Sequence, residues 1–208
     1  EVSNHSWKKY IVADQPGGYM VVTNFTRSGR KEDRKGVDRF EKASAIMASA
    51  DVATIDHRFL FNEISRTGKP IMRDITSASV VFEGVSSGVD PSNTVMWTLL
   101  GSPTNTVYVP LMVFASDHIP YYMKRSRGSD NAAICDDALA LKAAFGFEYG
   151  REEACREVEK YVDRHFSNDM SVQRYDRFIR RIYRRYLKIC VSKSPKMAHK
   201  IADYEKND

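Results

Sequence analysis

Hydrophobic positions form short strand-like runs through the first two-thirds of the chain and helical stripes after that. Tyr10-Ile11-Val12-Ala13 is a short apolar run that stops at the turn formers Asp14-Gln15-Pro16-Gly17-Gly18. Tyr19-Met20-Val21-Val22-Thr23 follows and reads as a strand, with the polar, basic stretch 24–35 as a loop. Val37, Phe40, Ala43, Ser44 and Met47 recur at helical spacing, and a second helix carrying Phe59, Leu60 and Ile64 is expected to start from Thr54 as N-cap. Three strands are expected next: Ser77–Val85, Thr94–Leu100 (stopped by Gly101-Ser102-Pro103) and Thr106–Phe114. Short polar connections make them an antiparallel meander, and their continuous apolar content points to a sheet covered on both faces.

From Asn131 the period lengthens. Leu139, Leu141 and Ala144 mark one helix; Cys155, Val158, Val162 and Phe166 mark a second. A third, longer stripe runs through Tyr175, Phe178, Ile179, Ile182, Tyr183, Tyr186, Leu187 and Cys190, and the polar tail from Lys193 to Asp208 is expected to fray. Strands and helices in separate blocks define an α+β class rather than a βαβ parallel sheet. A first strand at residue 10 has little upstream to pair with, which a further N-terminal partner segment would resolve.

Composition changes this picture little. At 208 residues, with 42% hydrophobic and 28% charged, the chain suits one sizeable globular domain, or a domain (1–145) with a helical extension (146–208) packed on it. The longest apolar stretch, Val107–Ala115, contains Pro110 and falls well short of the roughly 18 residues of a membrane span. Glu1-Val2-Ser3-Asn4-His5 has neither the basic nor the apolar region of a signal peptide, and there is no initiator Met, so a processed product, a cloned fragment or an ordered remnant is expected. The three cysteines, Cys135, Cys155 and Cys190, include no CxxC pair, which argues against zinc; Cys155 and Cys190 occupy apolar helical positions of buried thiols.

The net charge of +5 is concentrated toward the C-terminus. There Arg174, Arg177, Arg180, Arg181, Arg184, Arg185 and Lys188 lie opposite the tyrosine-containing stripe. Two readings stay open: a contact for a polyanion, or a solvated helix face diluted by Asp163, Asp169 and Asp176. No P-loop, GxGxxG, HExxH or GxSxG is present. The histidines lack metal-ligand spacing, and His165 reads as a helix-surface residue. Asn4-His5-Ser6 and Asn24-Phe25-Thr26 are glycosylation sequons, which two chance matches also explain. Asn24 follows a strand end, where its amide could donate to a developing oxyanion or simply form a turn.

Several segments together resemble the acyl-coenzyme A:6-aminopenicillanic acid acyltransferase-like branch of the N-terminal-nucleophile (Ntn) hydrolases, relatives of choloylglycine hydrolase and other linear-amide hydrolases. They are Glu1–His5, Gly18–Gly29, Gly36–Phe40, Thr76–Val85, Thr94–Pro103, Val109–Val113 and Ile134–Lys142. Their order and spacing over residues 1–145 carry the match. The resemblance implies a four-layer αββα sandwich and a nucleophilic Cys, exposed by autoproteolysis, whose own α-amino group acts as base. An acyl-enzyme on a small-molecule amide would be resolved by water or an acceptor amine, with no cofactor and no metal. Thr23-Asn24-Phe25 matches the family's Thr-Asn motif, which makes Asn24 the implied oxyanion stabiliser and Thr23 its support. Arg27 and Arg73 match no family motif.

The departure is large. Residue 1 is Glu, and none of the three internal cysteines has a free α-amino group. The expected partner is therefore an N-terminal nucleophile-bearing segment or subunit of the same protein. Relatives in bacteria often carry an export signal, so the resemblance favours export over the cytoplasm; a homo-oligomer is left open. The alternative is a non-catalytic binding module that uses the basic C-terminal helix for a polyanion.

Overall fold

The computed structural model describes residues 9, 11–24, 35–145, 152–193 and 195. They fall into two compact units, one up to Arg73 and one from Asp74 onward. The tail beyond residue 195 and most of the loop 24–35 lie outside the described residues.

The strand expected over Tyr19–Thr23 does not form. The backbone at Tyr19 is extended (φ −135°, ψ 164°), but no described strand runs beside it. A β-branched run becomes a strand only when a neighbour takes up its N–H and C=O groups. The same reason applies to the run before it, which winds as a 3-10 turn at Val12–Asp14; Tyr10 lies outside the described residues. Helix α1 (Val37–Ser49) begins after Gly36, and its positions Val37, Phe40, Ala43, Ser44 and Met47 are all half-buried, as one face should be.

The second helix starts later than expected. Thr54 belongs to a 3-10 turn, Val52–Thr54, where its hydroxyl donates to the Asp51 carbonyl (2.8 Å). Asp56 caps α2 (His57–Phe59), which continues as a π-helical turn, Leu60–Ser65. Its carboxylate accepts from the Phe59 amide (2.9 Å) and from Arg58 Nε (2.6 Å). Burial pushes the Asp56 carboxyl up, and those two donors outweigh it, so the group is held below the ordinary carboxylate range. Among the described residues of this unit, Phe61, Arg66 and Met72 have buried side chains.

The second unit holds a three-stranded antiparallel sheet in the order β1-β2-β3: β1 (Ala78–Glu83), β2 (Val95–Leu100) and β3 (Val109–Met112). Helices α3 (Ala133–Phe145), α4 (Glu152–His165) and α5 (Val172–Lys193) complete it. All three strands are shorter than the apolar runs that contain them. The third is cut most, because Gly101 to Tyr108 forms a wholly buried connection instead of a strand.

The register assigns the sheet faces, since directly paired residues share a side. Trp97 pairs with Pro110 and Val95 with Met112; with Leu99 they form one buried face. Trp97, 3% exposed, sets its ring edge-on to Tyr108 and Phe166 and donates from Nε1 to Glu83 Oε2 (2.7 Å). Val80, Phe82, Met96 and Leu111 lie on the opposite face through the pairs Phe82↔Met96 and Met96↔Leu111. There Phe82 is 70% exposed and Val80 43%. Coverage of both faces, expected from the continuous apolar runs, therefore holds for the face of Trp97 and for the β2–β3 end of the other, where Thr98 and Val109 are buried. The other is apolar in sequence but open along β1.

Tyrosines tie α5 into the unit. Tyr175 donates to the Pro110 carbonyl (2.9 Å), Tyr183 to Asp137 Oδ2 (2.7 Å) and Tyr186 to the Asn105 carbonyl (2.6 Å). Tyr122 donates in return to the Ile179 carbonyl (3.0 Å) and stacks on Tyr183. Each such bond contributes on the order of 1 kcal/mol net, and much more would be lost if its buried acceptor were stranded. On α3 the buried face is Ile134, Asp137, Ala138 and Leu141; of the expected stripe Leu141 is buried, while Leu139 (39%) and Ala144 are exposed. Asp137 takes an apolar position because Tyr183 satisfies its carboxylate there. Gly101 sits at φ +93°, where an added Cβ would run into that of Ala138, so this turn needs glycine on two counts.

Candidate functional site

The Thr-Asn motif is held against the start of α1. Thr23 Oγ1 donates to the Gly36 carbonyl (3.1 Å). Arg39 Nη2 donates to Asn24 Oδ1. A guanidinium only donates, so the Asn24 atom that faces it is the amide oxygen. That orientation turns Nδ2, with both hydrogens, away from Arg39, and among the described residues nothing accepts from it. Gly36 has φ +91°, and a Cβ there would run into both Asn24 Oδ1 and Arg39 Nη2. The close approach thus depends on the glycine. Asn24 is exposed, so the free amide faces outward.

This arrangement presents a neutral, oriented N–H donor beside a fixed positive charge, a combination suited to an oxyanion. The sequence singled out Asn24 and Thr23 but not Arg39. The signal was present, because Arg39 stands three residues after Gly36 in the segment Gly36–Phe40. Arg27 lies outside the described residues. Arg73 is exposed and is not brought to Asn24 by any described hydrogen bond.

The cysteines provide no activated thiol. Cys155 and Cys190 are buried, as their apolar positions predict, and all three are free thiols. Cys135 is half-buried; burial, then the neighbouring Asp136 carboxylate, pushes its thiol up. A thiol shifted that way stays protonated at neutral pH and is a weak nucleophile.

His165 ends α4 on the surface, with Nδ1 2.8 Å from the Tyr161 carbonyl and its ring stacked on Tyr161. Among the described residues no group of three or more His, Cys, Asp or Glu side chains could hold a metal ion. No described helix is long and apolar enough to cross a membrane.

The α5 stripe from Tyr175 to Cys190 is buried, as its spacing predicts. Opposite it, Arg174, Arg177, Arg181, Arg184, Arg185 and Lys188 are exposed. Arg180 is half-buried and pairs with Asp176 (3.0 Å, i to i+4), and Arg185 lies over the Tyr161 ring, 4.0 Å from its centroid.

No family model, curated protein or solved structure matches the chain.

Proposed function

We propose that this chain is the larger, C-terminal portion of a cysteine Ntn hydrolase that cleaves or transfers linear amides through an acyl-enzyme. The observation that carries the reading is the two-sided character of the β1-β2-β3 sheet. Val95, Trp97 and Leu99 are buried on one face; on the opposite face Thr98 and Val109 are buried, and along β1 Phe82 and Val80 are presented to solvent. An αββα sandwich demands such a sheet: one face under helices, the other apolar and reserved for a second sheet. In this reading the second sheet comes from the nucleophile-bearing segment of the same protein.

Asn24 supplies the oxyanion donor. Its side-chain oxygen is occupied by Arg39, which leaves the NH₂ group to meet negative charge developing on the amide carbonyl. Arg39 is a positioning residue: it fixes the amide orientation, and its charge adds to the local positive potential. Thr23 holds the segment through Gly36. The buried or proton-retaining state of Cys135, Cys155 and Cys190 supports a nucleophile from outside this chain.

The test is amine release from a panel of linear amides by the protein assembled with its nucleophile-bearing segment. Thiol alkylation should abolish turnover, and the chain without that segment should be inert. Turnover by the isolated chain, or turnover insensitive to alkylation, would overturn the reading.

A further inference from the structure

Tyr161 and His165 of α4 come together with Arg174, Arg177, Phe178 and Arg181 of α5. A cleft of about 340 Å³ opens there, walled by Tyr161 and Phe178 and rimmed by Arg174, Arg177, Arg181 and His165. The three arginines follow one another at i, i+3 and i+7, so their guanidiniums emerge on one helix face. Like charges at this spacing repel, which costs stability unless something neutralises them.

Their neighbours elsewhere on α5 are satisfied differently: Arg180 by Asp176, and Arg185 by the Tyr161 ring. Among the described residues no carboxylate pairs with Arg174, Arg177 or Arg181. Only Nε of Arg177 is engaged, donating to the Gln173 carbonyl (3.2 Å). The planar forks of its terminal nitrogens and of the other two arginines are left for an acceptor. Guanidinium forks suit phosphate oxygens in bidentate pairs, and a dianion is what three converging charges call for. The cleft volume is at the small end of the range for small-molecule pockets.

We propose that this cleft binds a small phosphorylated ligand, a phosphate monoester or short polyphosphate, through Arg174, Arg177 and Arg181. The proposal is independent of the amidase reading, since it uses no residue of the Asn24 site.

Titration calorimetry of the full chain with inorganic pyrophosphate tests it, with citrate and a single-stranded oligonucleotide as comparisons. Saturable one-to-one binding of pyrophosphate is expected, tighter than citrate. The double variant Arg177→Gln, Arg181→Gln should weaken it by about tenfold to a hundredfold. Lys188→Gln, one α5 charge outside the cleft, should leave it unchanged, and matching far-UV circular dichroism secures the fold of both variants. Absence of pyrophosphate binding at millimolar concentration, or equal binding by the double variant, would overturn the proposal. So would preference for citrate, or oligonucleotide binding that grows with length and falls equally in the Lys188 variant, the mark of a diffuse polyanion surface.

Discussion

Arg39, in the first turn of α1, donates to the side-chain oxygen of Asn24 and so decides which end of that amide is free. A residue that could have served as a turn former is thereby converted into an oriented donor.

If the proposed function holds, Asn24→Ala in the protein assembled with its nucleophile-bearing segment should lower kcat by on the order of 10²-fold with folding intact, the usual cost of an oxyanion-hole donor. Arg39→Gln should lower kcat less and leave KM nearly unchanged, because it disturbs orientation rather than substrate contact. Steady-state kinetics on one amide substrate, with circular dichroism as control, measures both. Unchanged turnover in Asn24→Ala would remove it from the site.

The buried phenols make the second unit sensitive to alkali. Burial, then the Asp137 carboxylate, raises Tyr183 well above the ordinary phenol value; burial likewise raises Tyr175 and Tyr186. The folded state holds these protons more tightly than the unfolded one. Their stabilising contribution is therefore complete below about pH 10, the unfolded value, and is lost as pH rises above it. Urea midpoints measured at intervals between pH 8 and 11 should fall only in the upper part of that range. Tyr186→Phe should flatten the fall, and a slope already steep at pH 8 would contradict it.

Tyr183→Phe should destabilise the chain by about 1–3 kcal/mol, because it removes the phenol that satisfies the buried Asp137 carboxylate. Urea unfolding at pH 7 measures this. A loss below a few tenths of a kcal/mol would mean that Asp137 is held chiefly by other partners.

Gly101→Ala should cost about 1–3 kcal/mol or more, from the collision with Ala138 and the positive φ together. Alanine at Gly88, also at positive φ (+86°) but with open space beside it, should cost less. A thermal melt of both variants separates steric from conformational cost.

Much of the second unit was legible because its periodicities are long. The stripe from Tyr175 to Cys190 repeats over several turns, and each of its positions is buried. Val95, Trp97 and Leu99 could only be a core strand once Gly101-Ser102-Pro103 ended it. The first unit was less legible. Tyr19–Thr23 has strand composition, yet strand formation depends on a partner that local sequence does not encode. Thr54 was favoured as a cap although Asp56, two residues on, is the stronger acceptor. At the candidate site Asn24 could be named from its motif, whereas Arg39 could not, since a contact across fifteen residues of chain leaves no periodic trace. The openness of the Val80–Phe82 face was hidden for a related reason: an apolar run reads the same whether its second face is covered or waiting to be covered.

That face bears on assembly. Phe82→Glu should leave the isolated chain folded, because Phe82 is 70% exposed. It should block association with the nucleophile-bearing segment, measurable by co-purification. Undiminished co-purification would show that the sandwich is not built on this face.

The central claim is that catalysis needs a Cys-initiated segment joined to this chain. The most direct measurement is intact mass and N-terminal sequencing of the protein purified from its native source. The account predicts a longer product or companion subunit that begins with Cys and carries strand-forming sequence. A native protein that contains this chain and no Cys-initiated segment would contradict it.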